Sequence, residues 1–169
     1  MDTVTLIANL ALTLSFVIAL LFGIVQTKAA ARDRRERLTL ETLHNYQTHA
    51  FSELIYYVNS RPVPDTAAEW RKQPEENQVQ FIQFTQEMEA LGLRVAEHFI
   101  SLDLVDKTLG SFVATSWEKF KPLIMDMRTD DPYLCEYYQW LAEQIDDRMK
   151  NNPRKPFYQT NGKTVPLGK

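Results

Sequence analysis

Three places in the chain hold side chains whose types and spacing could do chemistry. Glu41-Thr42-Leu43-His44 is an E-x-x-H at helical spacing. Di-iron bundles use such a pair twice, together with two further glutamates. Here it occurs once, so the ligand set is too small, and solvated surface polarity is the favoured reading. Arg94, Glu97 and His98 form a polar cluster on an otherwise apolar stretch. On a continuous helix Arg94 and His98, four apart, share a face. The trio reads as a buried pair fixing helix register, a ligand-binding patch, or a wet edge. The last is favoured, because polar groups on helices are mostly solvated. Trp117 and Phe120 with Tyr133, Tyr137, Tyr138 and Trp140 could stack on a flat ligand. Filling a core is the commoner role of such residues.

Known catalytic signatures do not appear. The sequence has no GxGxxG, GxxxxGK[ST], GxSxG or HExxH. His44 and His49 lie close together, without a recognisable nucleophile motif beside them. Cys135 is the single cysteine, so no internal disulfide or CxxC pair exists, as suits a reducing compartment. No catalytic, cofactor-binding or metal-ligating residue is assigned.

The element that positions everything else is at the N-terminus. Residues 3–26 carry no charged side chain, and roughly 20 apolar residues cover the ~30 Å hydrocarbon core of a bilayer as a helix. Lys28, Arg32, Arg34, Arg35 and Arg37 follow, against Asp33 and Glu36. Basic flanks stay on the cytoplasmic side, which places the short N-terminus outside and the rest inside. A cleaved signal peptide is the rival reading, with Ala29–Ala31 near a plausible cut. It wants a basic start and an apolar stretch of about 7–15 residues, and neither is present. Within the run Ala11, Ser15, Ala19 and Gly23 recur every four residues. Small residues so spaced let membrane helices approach closely, which points to self-association. No ionisable residue sits inside the run, the usual mark of a transport path.

Charge divides the remainder. Residues 28–37 carry a net +3, residues 38–147 hold 8 Lys/Arg against 19 Asp/Glu, and after Asp147 six basic residues face no acid. The basic collar would favour an anionic leaflet by about 1 kcal/mol per residue, while the acidic body would stand off from it. An acidic body also disfavours nucleic acid as a ligand, since a basic face is the usual footprint. The basic tail, with Pro153, Pro156, Gly162, Pro166 and Gly168, reads as solvated and flexible.

Helical periodicity dominates the body. Residues 33–59 repeat apolar positions at 3–4 spacing, with a break expected near Thr39 and an end at Arg61-Pro62-Val63-Pro64. Thr66 and Glu69 make a capping-box pattern for a short helix that Pro74 closes. Phe81, Phe84, Met88, Leu91 and Val95 mark a helix over about 75–101, and its wide apolar surface suits a central position. Residues 101–104 read as a turn, and Pro122 should kink or split the helix over 105–127. Asp131-Pro132 reads as a helix start, with Tyr133, Leu134, Tyr137, Trp140, Leu141 and Ile145 inward.

The stretch Phe84-TQEMEALGLRVAEHFISLDLVDKTLGSFVATSWEKFKPLI-Met125 resembles a bacterial family of membrane-anchored helical proteins, the domain of unknown function 4760. The likeness rests on Glu89 beside the ALGL tetrad at 90–93, the L-D-L-V-D segment, Gly110 and Trp117. The upstream LTLETLHNY is similar to that family's layout too. The resemblance implies one N-terminal span and a cytoplasmic α-domain, and no catalytic or ligand residues.

The expected architecture is therefore all-α: a transmembrane anchor over 1–27, a basic juxtamembrane segment over 28–37, a cytoplasmic bundle of four to five helices over 38–150, and a basic tail over 151–169. The leading functional reading is a non-enzymatic, single-pass protein whose domain binds an unknown protein partner or self-associates. Behind it stand a ligand-sensing, membrane-disrupting defence effector and a helical enzyme of unrecognised type.

Overall fold

A computed structural model describes residues 3–156 and Gln159, apart from the side chains of residues 4–6. Of the tail residues expected to be flexible, Gly162, Pro166 and Gly168 lie outside the described residues, as do the basic Lys163 and Lys169. Six helices follow in order: α1 Thr3–Asn45, α2 His49–Ser60, α3 Ala67–Trp70, α4 Glu75–Ala96, α5 Leu102–Met127 and α6 Glu136–Asn151. The described chain is thus all-helical, with one long apolar helix ahead of five shorter ones.

α1 is 43 residues, about 65 Å at 1.5 Å per residue. It passes through Thr39 without the expected break. Thr39 is fully buried, its hydroxyl donating to the Arg35 carbonyl and accepting from the Ser101 amide. The break comes at Tyr46–Thr48, where tight turns run from Tyr46 N–H to Leu43 and from Gln47 N–H to His44. Thr48 then caps α2 by accepting from the Phe51 amide. Arg61 turns extended ahead of the two prolines, and α2 stops there as the sequence predicts. Thr66 caps α3 by accepting from Glu69 N–H, while the Ala67 amide is taken by Asp126 of α5.

Two turns fall elsewhere than expected. Residues 101–104 are not a turn, because α5 starts at Leu102. The chain reverses at Glu97–Ile100, with His98 at φ 59°. Its N–H bonds Val95 O and the Phe99 N–H bonds Arg94 O, the paired pattern of a Schellman C-cap with a non-glycine in the left-handed position. Likewise Asp131-Pro132 opens a turn instead of a helix. Asp131 Oδ1 accepts from Tyr133 N–H, and α6 begins only at Glu136, after Cys135 at φ 57°. That delay rotates the helix: Tyr138 is fully buried while Tyr133 is 74 % exposed, so Tyr138 takes the inward place expected of Tyr137. Pro122 does not split α5. Pro122 and Glu118, whose carbonyl it leaves without a helical donor, are both exposed, so the proline falls on the solvent side of the helix.

The core is aromatic and mostly edge-to-face, with Phe84 and Phe120 tilted at 38°. Phe84 touches Phe112, Phe120 and Tyr138, Trp117 packs on Tyr138, and Tyr46 meets Phe51. α5 runs beside the end of α1 and then α2 in the same direction. The hydrogen bonds Ser101–Thr39, Lys119–Val58 and Asp126–Ala67 join residues 62, 61 and 59 apart. α6 returns antiparallel to α5, with Ser116 against Tyr138 and Asp103 near Arg148. The start of α5 and the end of α6 therefore share the end of the bundle from which α1 departs.

Candidate functional site

Two places are built with more than packing in view: the joint that holds α1 to the bundle, and the junction of α4 with α6.

At the joint, the last turns of α1 belong to the core. Leu43 and Tyr46 are buried, and the Tyr46 hydroxyl donates to the Glu87 carbonyl at 3.2 Å. Burial, with the Glu87 carboxylate adding to it, pushes the Tyr46 phenol up to about 12. Further back along α1 nothing among the described residues covers the helix. From Ile7 to Val25 its large apolar side chains are exposed, Leu12 and Phe16 by 69 % each. Among the described residues this is the one helix long and apolar enough to cross a membrane.

Ala11, Ser15, Ala19 and Gly23 lie on this uncovered part. Ser15 turns its hydroxyl back onto the Ala11 carbonyl, and a Cβ added at Gly23 would meet nothing within 4 Å. Lys28, Arg32, Arg34, Arg35 and Arg37 continue the same helix, all exposed, with Arg32 paired to Glu36 at 2.8 Å. A groove of about 810 Å³ opens between this collar and the start of α5, lined by Lys28, Arg32, Arg35, Leu40, Asp103 and Leu104 among others.

At the α4–α6 junction, Glu89 accepts from the amides of Tyr137 and Tyr138 at 3.2 and 2.8 Å. A carboxylate from one helix thereby satisfies the free amides at the start of another, where negative charge is also favoured. Three residues on, Gly92 lies so close to α6 that a Cβ would overlap the Tyr137 carbonyl. Arg128 works from the other side. It donates to the Leu134 and Cys135 carbonyls and to Gln139, and its guanidinium sits 6.0 Å from the Trp117 ring. Cys135 between them is buried and free. Burial, and secondarily Glu89, pushes its thiol up to about 12, so it is a poor nucleophile at neutral pH. The Tyr138 hydroxyl shares a buried hydrogen bond of 2.7 Å with Ser116.

The remaining sequence candidates separate in space. Arg94 is half-buried at the end of α4, Glu97 and His98 are exposed, and His98 stands in the turn instead of on a common helical face. Glu41 and His44 are exposed on α1. Among the described residues no group of three or more His, Cys, Asp and Glu is arranged to hold a metal ion. Trp117, Phe120 and Tyr138 are core, while Tyr137 and Trp140 are half-buried. The sequence reading assigned no role to Glu89 or Arg128. Their work depends on where α6 begins, which no local signal gives.

These features define an all-helical chain with one candidate membrane span joined directly to a helical domain. It matches the domain of unknown function (DUF4760) over residues 10–145, and the chain belongs to that family. Compared with the curated proteins and with the solved structures, it matches none.

Proposed function

We propose that this is a single-pass protein of a bacterial inner membrane, with its N-terminus outside, whose helical domain works in the cytoplasm through protein interaction or self-association. One observation carries the reading. α1 leaves some twenty apolar residues uncovered, and the same unbroken helix ends inside the bundle core. An apolar surface of that length in water is costly, whereas a bilayer covers it at no polar cost. Continuity then matters for function, because a contact made within the membrane is passed to the domain without a flexible hinge. The stripe of Ala11, Ser15, Ala19 and Gly23 supports self-association through the span, since nothing among the described residues occupies it.

Alkaline carbonate washing and protease accessibility test this. The chain should stay with the membrane, and the bundle should be digested only when the cytoplasmic face is exposed. Cross-linking should trap an oligomer that Ala19→Leu and Gly23→Leu disperse. A strictly monomeric chain unaffected by both variants removes the self-association part. Depolarisation of cells on overexpression, abolished by Gly23→Leu, would turn the reading toward a membrane-disrupting effector.

A further inference from the structure

The groove between α1 and the start of α5 is placed and charged for an anionic lipid. At 1.5 Å per residue, Lys28, Arg32 and Arg35 stand roughly 2–12 Å beyond Thr27, the last residue before the charged collar. A headgroup layer is roughly 5–8 Å deep on each side of the hydrocarbon. Helical spacing of four and three puts these three side chains on one face, and all three line the groove. Arg34 and Arg37 do not line it.

The groove also contains two acids, and tertiary structure accounts for both. Glu36 is paired with Arg32 at 2.8 Å. Asp103 is paired with Lys107 at 2.6 Å and approached by Arg148 of α6 at 3.9 Å. Among the described residues Lys28 and Arg35 have no ion-pair partner, so they keep their charge for a ligand. Leu40 and Leu104 supply an apolar wall.

We propose that this groove seats the phosphate of an anionic phospholipid from the leaflet beside the bundle, with Lys28 and Arg35 as its contacts. The proposal rests on the membrane reading above and adds a specific site to it. It differs from a diffuse attraction of the collar, which would count all five basic residues alike.

The full-length protein, in nanodiscs of phosphatidylcholine alone or mixed with phosphatidylglycerol, provides the test. Native mass spectrometry after release counts the lipids retained. Phosphatidylglycerol should be retained and phosphatidylcholine should not. The pair Lys28→Gln with Arg35→Gln should weaken retention by about thirtyfold, at about fivefold per basic residue. The pair Arg34→Gln with Arg37→Gln removes the same charge and should leave retention near that of the parent. Equal losses from the two pairs would overturn the site in favour of a diffuse collar, and no loss from either would overturn it outright. Displacement of the lipid by inorganic phosphate would make it a soluble-anion site and also overturn the proposal. Helix content by circular dichroism checks that each variant folds. Carbonate extraction reports separately on the membrane reading, so the two can fail independently.

Discussion

Gly92 and Glu89 show how single residues hold the junction between α4 and α6. Any Cβ at position 92 meets the Tyr137 backbone, which cannot rotate away as a side chain could. Gly92→Ala should therefore cost about 1–3 kcal/mol through overpacking, read as a lower thermal midpoint of the full chain. His98 is the opposite case. Its positive φ suits glycine, and an L-residue there costs roughly 1–2 kcal/mol. His98→Gly should leave stability unchanged or raise it by up to about 1 kcal/mol, since glycine's extra unfolded-state entropy offsets part of the relief. A marked loss would point to a role beyond capping.

Buried acids set the alkaline limit: burial pushes the Tyr138 phenol up furthest, and the Cys135 thiol and Tyr46 phenol follow. The Cys135 thiol moves from 9.0 to about 12, and the Tyr46 phenol from 10.0 to about 12. Folded pKa values above the unfolded ones mean that the unfolded chain loses its protons first. Stability from these groups is full below pH 9 and falls as pH rises from about 9 through 12, by at most about 1.4 kcal/mol per pH unit for each. Thermal midpoints across this range check it, and Cys135→Ala should move the onset toward pH 10.

At the scale of elements, the joint between α1 and α5 decides whether the anchor is stiffly coupled to the domain. It is made by Thr39, a β-branched polar residue buried in a helix, whose hydroxyl is the acceptor for the first free amide before α5. Thr39→Val keeps the shape and removes that acceptor, leaving the Ser101 amide unsatisfied. A cost of about 1–3 kcal/mol follows, with faster hydrogen exchange at Ser101 and its neighbours while the α4–α6 junction is unaffected. The turn before α6 teaches a related lesson. Asp131-Pro132 has the residues of a helix start, yet the Leu134 and Cys135 carbonyls bond Arg128 and α6 begins only at Glu136. The long-range partner is Glu89 of α4, which accepts from the Tyr137 and Tyr138 amides at the start of α6.

For the whole molecule, the domain does not begin where the anchor ends. The last two turns of α1 contribute Thr39 and Leu43 to the core, so a fragment starting before Leu38 should unfold as cooperatively as the full chain. One starting at Tyr46 loses the buried Leu43 side chain and should be less stable by at least about 2 kcal/mol. Chemical denaturation of the two fragments distinguishes them. The antiparallel return of α6 matters at the same scale, because it brings Arg148 to Asp103 at the end of the bundle nearest the collar.

By itself the sequence determined the elements that rest on local and periodic rules: the uncharged run and its basic collar, the all-helical class, the stop at Pro62–Pro64, the Thr66 cap and the stripe from Phe81 to Val95. Each follows from hydrophobic spacing or from one residue's backbone preference, and such signals are complete within a few turns. Only the tertiary structure decided that α1 runs unbroken into the core, that Tyr138 and not Tyr137 faces inward, and that Glu89 serves α6. In each case the deciding partner lies far along the chain or depends on a helix boundary set by such a partner. A buried amide or carbonyl must be satisfied by whatever packing brings to it, and that partner is not written beside it.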